Sequence, residues 1–410
     1  MTTHTPGRAL RIGLAAVACA AFLGAVVTAP SAAAASATGA SARGELLSVT
    51  PVGHLSRSEV VAAVASIPFD TAPVRHGVTG YRITYRTVDA AGRPTTASGL
   101  VELPDGGLPE LRVISYGHGT QAYRGGVASM VAGNGDREAV EYFASAGYAA
   151  VAPDYLGLGT GPGTHPYMDT ATEATAWIDM LRASRTLASR HGRRLDPGVL
   201  LTGFSQGGTA AMATGRALQN GADPYWKPAA LAPVSGPYDV RRAEIPAMFL
   251  TGGMDPAEAA FYMGYWTVSM NRLHHLYDSP SEVFRAPYDT FVEGLYDGEH
   301  TEESIAAELP DSPAELLTPQ YVRRLLHPTG ALLAALRDND TTCQWHPDVP
   351  VRLYAAEGDR DAVFANALHC RRQLRAHGAD VPLVDVGDTD HVGSVIRAIP
   401  QVLDWFARQD

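Results

Sequence analysis

The sequence predicts an α/β protein with a mostly parallel sheet, an antiparallel hairpin at its start and a helical insertion near its end. Three observations lead there. Two stretches of alternating apolar and polar residues stand early in the chain. Short apolar runs then alternate with longer helical stretches. Between Tyr238 and about Asp340 that rhythm lapses, and helix-start signals recur instead.

The hairpin comes from Tyr81 to Arg86, where alternation marks a half-buried strand, and from Thr95 to Leu103, its partner. Asp89-Ala90-Ala91-Gly92 supplies the turn. Before it, residues 36–75 read as a Gly/Ala/Ser-rich start and a helical stretch opened by Ser58. The apolar runs are Leu111 to Tyr116, Tyr148 to Ala152, Val199 to Thr202, Ala229 to Val234, Val351 to Ala355 and Leu383 to Val386. Helical stretches such as Glu173 to Arg190 and Asn366 to His377 separate several of them. Apolar strands joined by helical crossovers are buried on both faces, which is the pattern of a parallel sheet.

In the insertion, Asp255-Pro256-Ala257-Glu258 places an acceptor at the N-cap, Pro at N1 and Glu at N3. Ser279-Pro280-Ser281-Glu282 and Ser312-Pro313-Ala314-Glu315 repeat the signal, and Thr318-Pro319 is a weaker copy. The expected organisation is a core of residues 36–238 and 341–410 with a helical cap, residues 239–340, over the C-terminal ends of the strands.

The N-terminus reads as an export signal removed over residues 1–35. Arg8 and Arg11 precede an apolar run from Ile12 to Val27, short for a membrane span, and small residues follow from Ala33 to Ala37. A retained anchor is the alternative. Cys19 would leave with the signal, so Cys343 and Cys370 remain, an even pair in an oxidising compartment. Their disulfide would stabilise the fold by about 3.5 kcal/mol in the chain-entropy model. A formal charge of -11 with no basic run excludes nucleic-acid binding and disfavours anionic membranes. No stable membrane insertion is expected after signal removal. His274-His275 are helix neighbours that face different directions, so no metal or other cofactor is expected.

The chemistry sits in three segments. Val199 to Thr202 runs into Gly203-Phe204-Ser205-Gln206-Gly207, a G-x-S-x-G turn between a strand and a small-residue helix containing Gly208, Ala210, Ala211 and Ala213. Such a turn exposes the Ser205 hydroxyl. After the strand ending near Ala356 comes Glu357-Gly358-Asp359-Arg360-Asp361-Ala362-Val363, where three acids compete. The Gly-x-x-Asp spacing favours Asp361, with Asp359 second. His391 follows the last strand, in Gly387-Asp388-Thr389-Asp390-His391. The order Ser, Asp, His suits a triad in which His391 takes the Ser205 proton and the acid fixes the imidazole. Two amides could hold the oxyanion: that of Gln206, and that of Thr120 in Gly117-His118-Gly119-Thr120, with Gly119 as its alternative. His118 reads as a loop-shaping residue.

With these motifs and Gly147 to Gly159 (GYAAVAPDYLGLG), then His165-Pro166-Tyr167, the chain resembles the secreted lipase and esterase branch of the α/β-hydrolases over about residues 75–408. The resemblance implies an α/β-hydrolase fold, hydrolysis of small-molecule or lipid esters, and a structural Asp154. Among the cap's aromatic and methionine residues, Phe261, Tyr265, Trp266 and Met270 are expected to line an acyl pocket or to form the cap's own core. A peptidase or amidase is the alternative, with Glu293, Asp297 and Glu299 of the cap available to bind an amine. A non-catalytic binding protein is the third reading, and an intact triad argues against it.

Overall fold

The computed structural model describes residues 43–409, so the expected export signal lies outside the described residues. Nine strands form one sheet in the order β1-β2-β3-β5-β4-β6-β7-β8-β9. The hairpin is β2 (Val78–Val88) and β3 (Pro94–Pro104), and β3 runs antiparallel to β5 (Ala149–Pro153). From there β4 (Glu110–Gly117), β6 (Arg194–Phe204), β7 (Lys227–Val234), β8 (Leu353–Ala355) and β9 (Leu383–Asp385) are parallel.

Apolar strand sequences are explained by burial on both faces. In β6, Val199 and Leu201 pack into one core with Trp177 and Met212, while Leu200 between them joins another with Phe143 and Phe406. Helices Thr170–Arg190 and Gln206–Gln219 contribute to the first layer, and helices Gly135–Ser145 and His391–Phe406 to the second. Asp154, just after β5, accepts from the hydroxyls of Ser98 and Ser129 at 2.6 Å each, tying three segments together.

Two elements differ from expectation near the start. Leu46–Leu55 is an added edge strand, β1, paired antiparallel to β2. The following helix, Arg57–Ser66, begins at Ser56 rather than Ser58: Ser56 and Glu59 form a reciprocal capping box.

Between β7 and β8 the chain is mostly helical. Two π-helical turns, Val240–Glu244 and Ala247–Thr251, lead to a long helix, Pro256–His274, capped by Asp255 through the amides of Ala257 and Glu258. Helices Pro313–Leu316 and Pro319–Leu326 start where the Ser-Pro and Thr-Pro signals stand, whereas Ser279 opens only a single 3-10 turn. Phe261, Tyr265, Trp266, Tyr296 and Leu316 belong to a core built mostly from this segment, which also takes in Ala122, Tyr167 and Met168. Cys343 and Cys370 form a disulfide that joins the chain just before β8 to the helix Ala365–Ala376. Among the described residues no helix is long and apolar enough to cross a membrane.

Candidate active site

Ser205 stands between β6 and the helix Gln206–Gln219 with φ 55° and ψ -119°. Left-handed backbone at a non-glycine residue costs of order 1–3 kcal/mol and persists only where its surroundings impose it. Here Ser205 N–H donates to the Val234 carbonyl at 2.9 Å, which anchors the turn to β7. The flanking glycines have steric causes. A Cβ at Gly203 would collide with the Gly207 carbonyl, and one at Gly207 with the Gly117 carbonyl.

His391 begins the last helix, whose N-cap is Asp390. The ring is buried against Phe204, with centroids 4.4 Å apart, and its Nδ1 lies 2.7 Å from Asp359 Oδ2. The carboxylate beside His391 is therefore Asp359, and the expectation of Asp361 is corrected on geometry. Gly358 explains the choice. Its Cα packs so tightly on the next loop that a Cβ would come within 2.8 Å of the Thr389 carbonyl. Asp359, one residue on, thus falls beside His391. Its other oxygen accepts from the amides of Asp361 and Ala362 at 2.9 Å each. Those bonds bend the chain so that Asp361 turns to the cap, where Tyr262 donates to its Oδ2 at 3.4 Å.

Ser205, His391, Gly119 and Thr120 share the wall of a cleft of about 610 Å³. A smaller cavity, about 50 Å³, lies between Ser205 and the cap. Its lining includes Thr120, Tyr167, Val240, Met254, Tyr262 and Trp266. Of the four expected pocket residues, Trp266 reaches this cavity and Phe261 lines a neighbouring depression. Tyr265 and Met270 are in the cap core instead; Tyr265 stacks on Tyr167 at 4.2 Å and on Tyr296 at 4.8 Å. Met254 and Tyr262, two more of the cap's aromatic and methionine residues, line it as well, and sequence reasoning missed Tyr167 as a lining residue.

Three acids around the cleft and the small cavity, Asp361, Glu258 and Glu244, are held toward their neutral forms. Asp361 is raised by burial and by the Asp359 charge, with His391 opposing. Glu258, which lines the cleft, is raised by burial, then by Asp361 and Asp255. Glu244, on the wall of the small cavity, is raised well above the usual carboxylate range by burial, against a hydrogen bond from Asn366.

Gln206 is the first residue of its helix, so its amide is one of the N–H groups without an intrahelical acceptor. On the facing loop, a Cβ at Gly119 would lie 3.7 Å from Ser205 Cβ, which brings that loop beside the nucleophile. His118 is buried, with Nδ1 2.7 Å from the Gly119 carbonyl and its ring against Tyr155. It holds the loop and does not face the cleft. The cap acids have partners of their own: Glu293 accepts from Tyr277 at 2.7 Å, Asp297 from the Glu299 amide, and Glu299 lies 2.8 Å from Arg124.

No family model matches the sequence, and no curated protein does. Solved structures match well. A Legionella pneumophila protein assigned as a hydrolase is 29% identical with a TM-score of 0.82, over 89% of this chain and 99% of its own. The rice cell wall degrading esterase LipA of Xanthomonas oryzae is 28% identical, also at 0.82, over 90% and 100%. Candida antarctica lipase A, in its closed state, matches at 0.62 with 14% identity over 89% and 83%, a likeness of fold alone. By its sheet, its elbow and these neighbours, the chain has the α/β-hydrolase fold and is similar to esterases within it.

Proposed function

We propose that this chain is a secreted serine hydrolase that cleaves carboxylic esters through Ser205, His391 and Asp359. One observation carries the reading: His391, paired at 2.7 Å with the buried Asp359, lines the same cleft as an elbow serine in left-handed backbone. His391 donates Nδ1–H to Asp359 and keeps Nε2 as the base. It accepts the Ser205 proton as Oγ attacks the ester carbonyl carbon. The tetrahedral oxyanion is met by the amides of Gln206 and Thr120, with Gly119 as the alternative to Thr120. Collapse expels the alcohol, which takes the proton from His391. Water then attacks the acyl-enzyme by the same route and frees the acid.

The small cavity favours short acyl groups. At about 50 Å³ it has room for only a few water-sized groups. The esterase neighbour supports ester chemistry, and the engaged cap acids leave the peptidase alternative without a supporting contact. Export is supported by the N-terminal pattern from Arg8 to Ala37 and by the Cys343–Cys370 bridge. The test is a p-nitrophenyl ester series from acetate to palmitate, with Ser205→Ala alongside. The expected result is turnover greatest at acetate or butyrate and a fall of about 10⁴-fold or more in the variant. Inactivity of the wild type on every ester sinks the reading.

A further inference from the structure

Gln206 follows the nucleophile directly, and its side chain is buried. Its Nε2 lies 2.7 Å from His165 Nε2 and 2.7 Å from Glu173 Oε1. A third contact decides where the protons are. His165 Nδ1 lies 2.9 Å from the Leu156 carbonyl, which can only accept. Burial takes His165 down to about 3, so the ring is neutral, with its proton on Nδ1 and a lone pair on Nε2. The Gln206 amide therefore donates one N–H to His165 and the other to Glu173.

The other oxyanion candidate is held from the same stretch of chain. Thr120 Oγ1 lies 2.8 Å from the Tyr167 hydroxyl. Tyr167 stacks flat on Tyr265 of the cap helix, and the Tyr265 hydroxyl donates to the Gln121 carbonyl at 3.2 Å. The segment from His165 to Glu173 thus touches both sides of the oxyanion hole, one through Gln206 and the other through Thr120.

We infer that His165, Tyr167 and Glu173 are positioning residues that hold the Gln206 and Thr120 amides toward one point, and that Tyr265 ties this frame to the cap. The inference rests on the serine-esterase reading above. Its physical basis is that oxyanion donors act through preorganisation: they help only when fixed at hydrogen-bond distance from where charge develops. A side chain truncated at Gln206 leaves the backbone N–H in place but lets the first helical turn relax. Glu173 is raised to about 8, mainly by burial, so at neutral pH it offers Gln206 a carbonyl acceptor without a buried charge.

The test compares Gln206→Leu, Glu173→Ala, Glu173→Gln and Tyr167→Phe on p-nitrophenyl butyrate. It also measures their affinity for a butyl trifluoromethyl ketone, whose adduct places an oxyanion in the same hole. Q206L and E173A are expected to lower kcat about 10- to 100-fold with KM within about twofold, and to weaken the ketone by the same factor. E173Q, which keeps the acceptor, regains most of what E173A loses. Y167F loses several-fold, and because it removes only a hydroxyl it serves even where Q206L does not fold. Folded variants that match wild type in kcat and ketone affinity, differing only in melting temperature, overturn the inference while leaving the esterase reading intact. A wild type inactive on all esters and unlabelled by a fluorophosphonate at Ser205 overturns both.

Discussion

The loops at the sheet end and the cap above them are held by different kinds of contact. The loops are held largely by backbone. Ser205 N–H reaches the Val234 carbonyl, two amides close on Asp359 Oδ1, and Gly393 N–H caps on Asp390 at 2.6 Å. The cap is held by side chains, with Tyr167, Tyr265 and Tyr296 in a stack and Phe261 packed edge-on to Tyr265 and Tyr296. Backbone geometry needs particular residues at particular places, such as Gly203, Gly207 and Gly358, whereas an apolar core accepts many arrangements of similar volume. The first kind of region leaves a local pattern in the sequence, and the second does not.

The sharpest test of that contrast lies two residues apart. Asp359 belongs to the loop network and touches His391, while Asp361 touches Tyr262 of the cap. Asp359→Asn should keep the fold and lower kcat by about 10³- to 10⁴-fold, because the amide presents His391 with a hydrogen-bond donor and favours the wrong tautomer. Asp361→Asn should cost no more than a few-fold. Steady-state kinetics of the two variants decides it, and equal losses would mean that both acids serve the histidine.

A second test probes the cap. Trp266 borders the small cavity, whereas Met270 is buried in the cap core. Trp266→Ala should enlarge the acyl space and raise octanoate over butyrate turnover by about tenfold or more, since admitting even one further methylene is worth roughly 1–3 kcal/mol. Met270→Ala should leave that ratio alone and lower stability by about 2–5 kcal/mol. An unchanged ratio in W266A would remove the acyl role from this cavity.

What could be read from the sequence follows the same division. The parallel strands, the elbow at Ser205, the late His391 and the Asp255 cap all rest on local signals, and each has its counterpart in the structure. β1 escaped because Pro51 and Gly53 break the alternation; an edge strand tolerates both, and its register shifts between them. Which of the two acids stands beside His391 was not legible because it depends on Gly358 meeting Thr389, a contact about 30 residues distant in sequence. Tyr265 resembled a pocket residue by type, yet which face of an apolar helix meets the cavity is settled only by its tertiary neighbours. Tyr167 did carry a signal, since it stood in the His165-Pro166-Tyr167 motif already tied to the lipase and esterase resemblance.

The smallest expected effect concerns stability against pH and the seam between the two regions. Glu173 is buried beside Gln206, with Asp169, Tyr155 and Tyr167 around it, and is raised to about 8 from an ordinary value near 4.5. A carboxyl that keeps its proton in the folded state, but loses it when unfolded, favours folding fully below pH 4.5. That contribution declines as pH rises between about 4.5 and 8, and is gone above 8. Glu173→Gln cannot ionise, so its melting temperature should fall less than that of wild type across this window, with the two curves parallel above it. Thermal melts from pH 5 to 9 check the sign. Parallel curves throughout would mean that Glu173 is already ionised at neutral pH, and that Gln206 is held by a buried charge and not by a neutral acid.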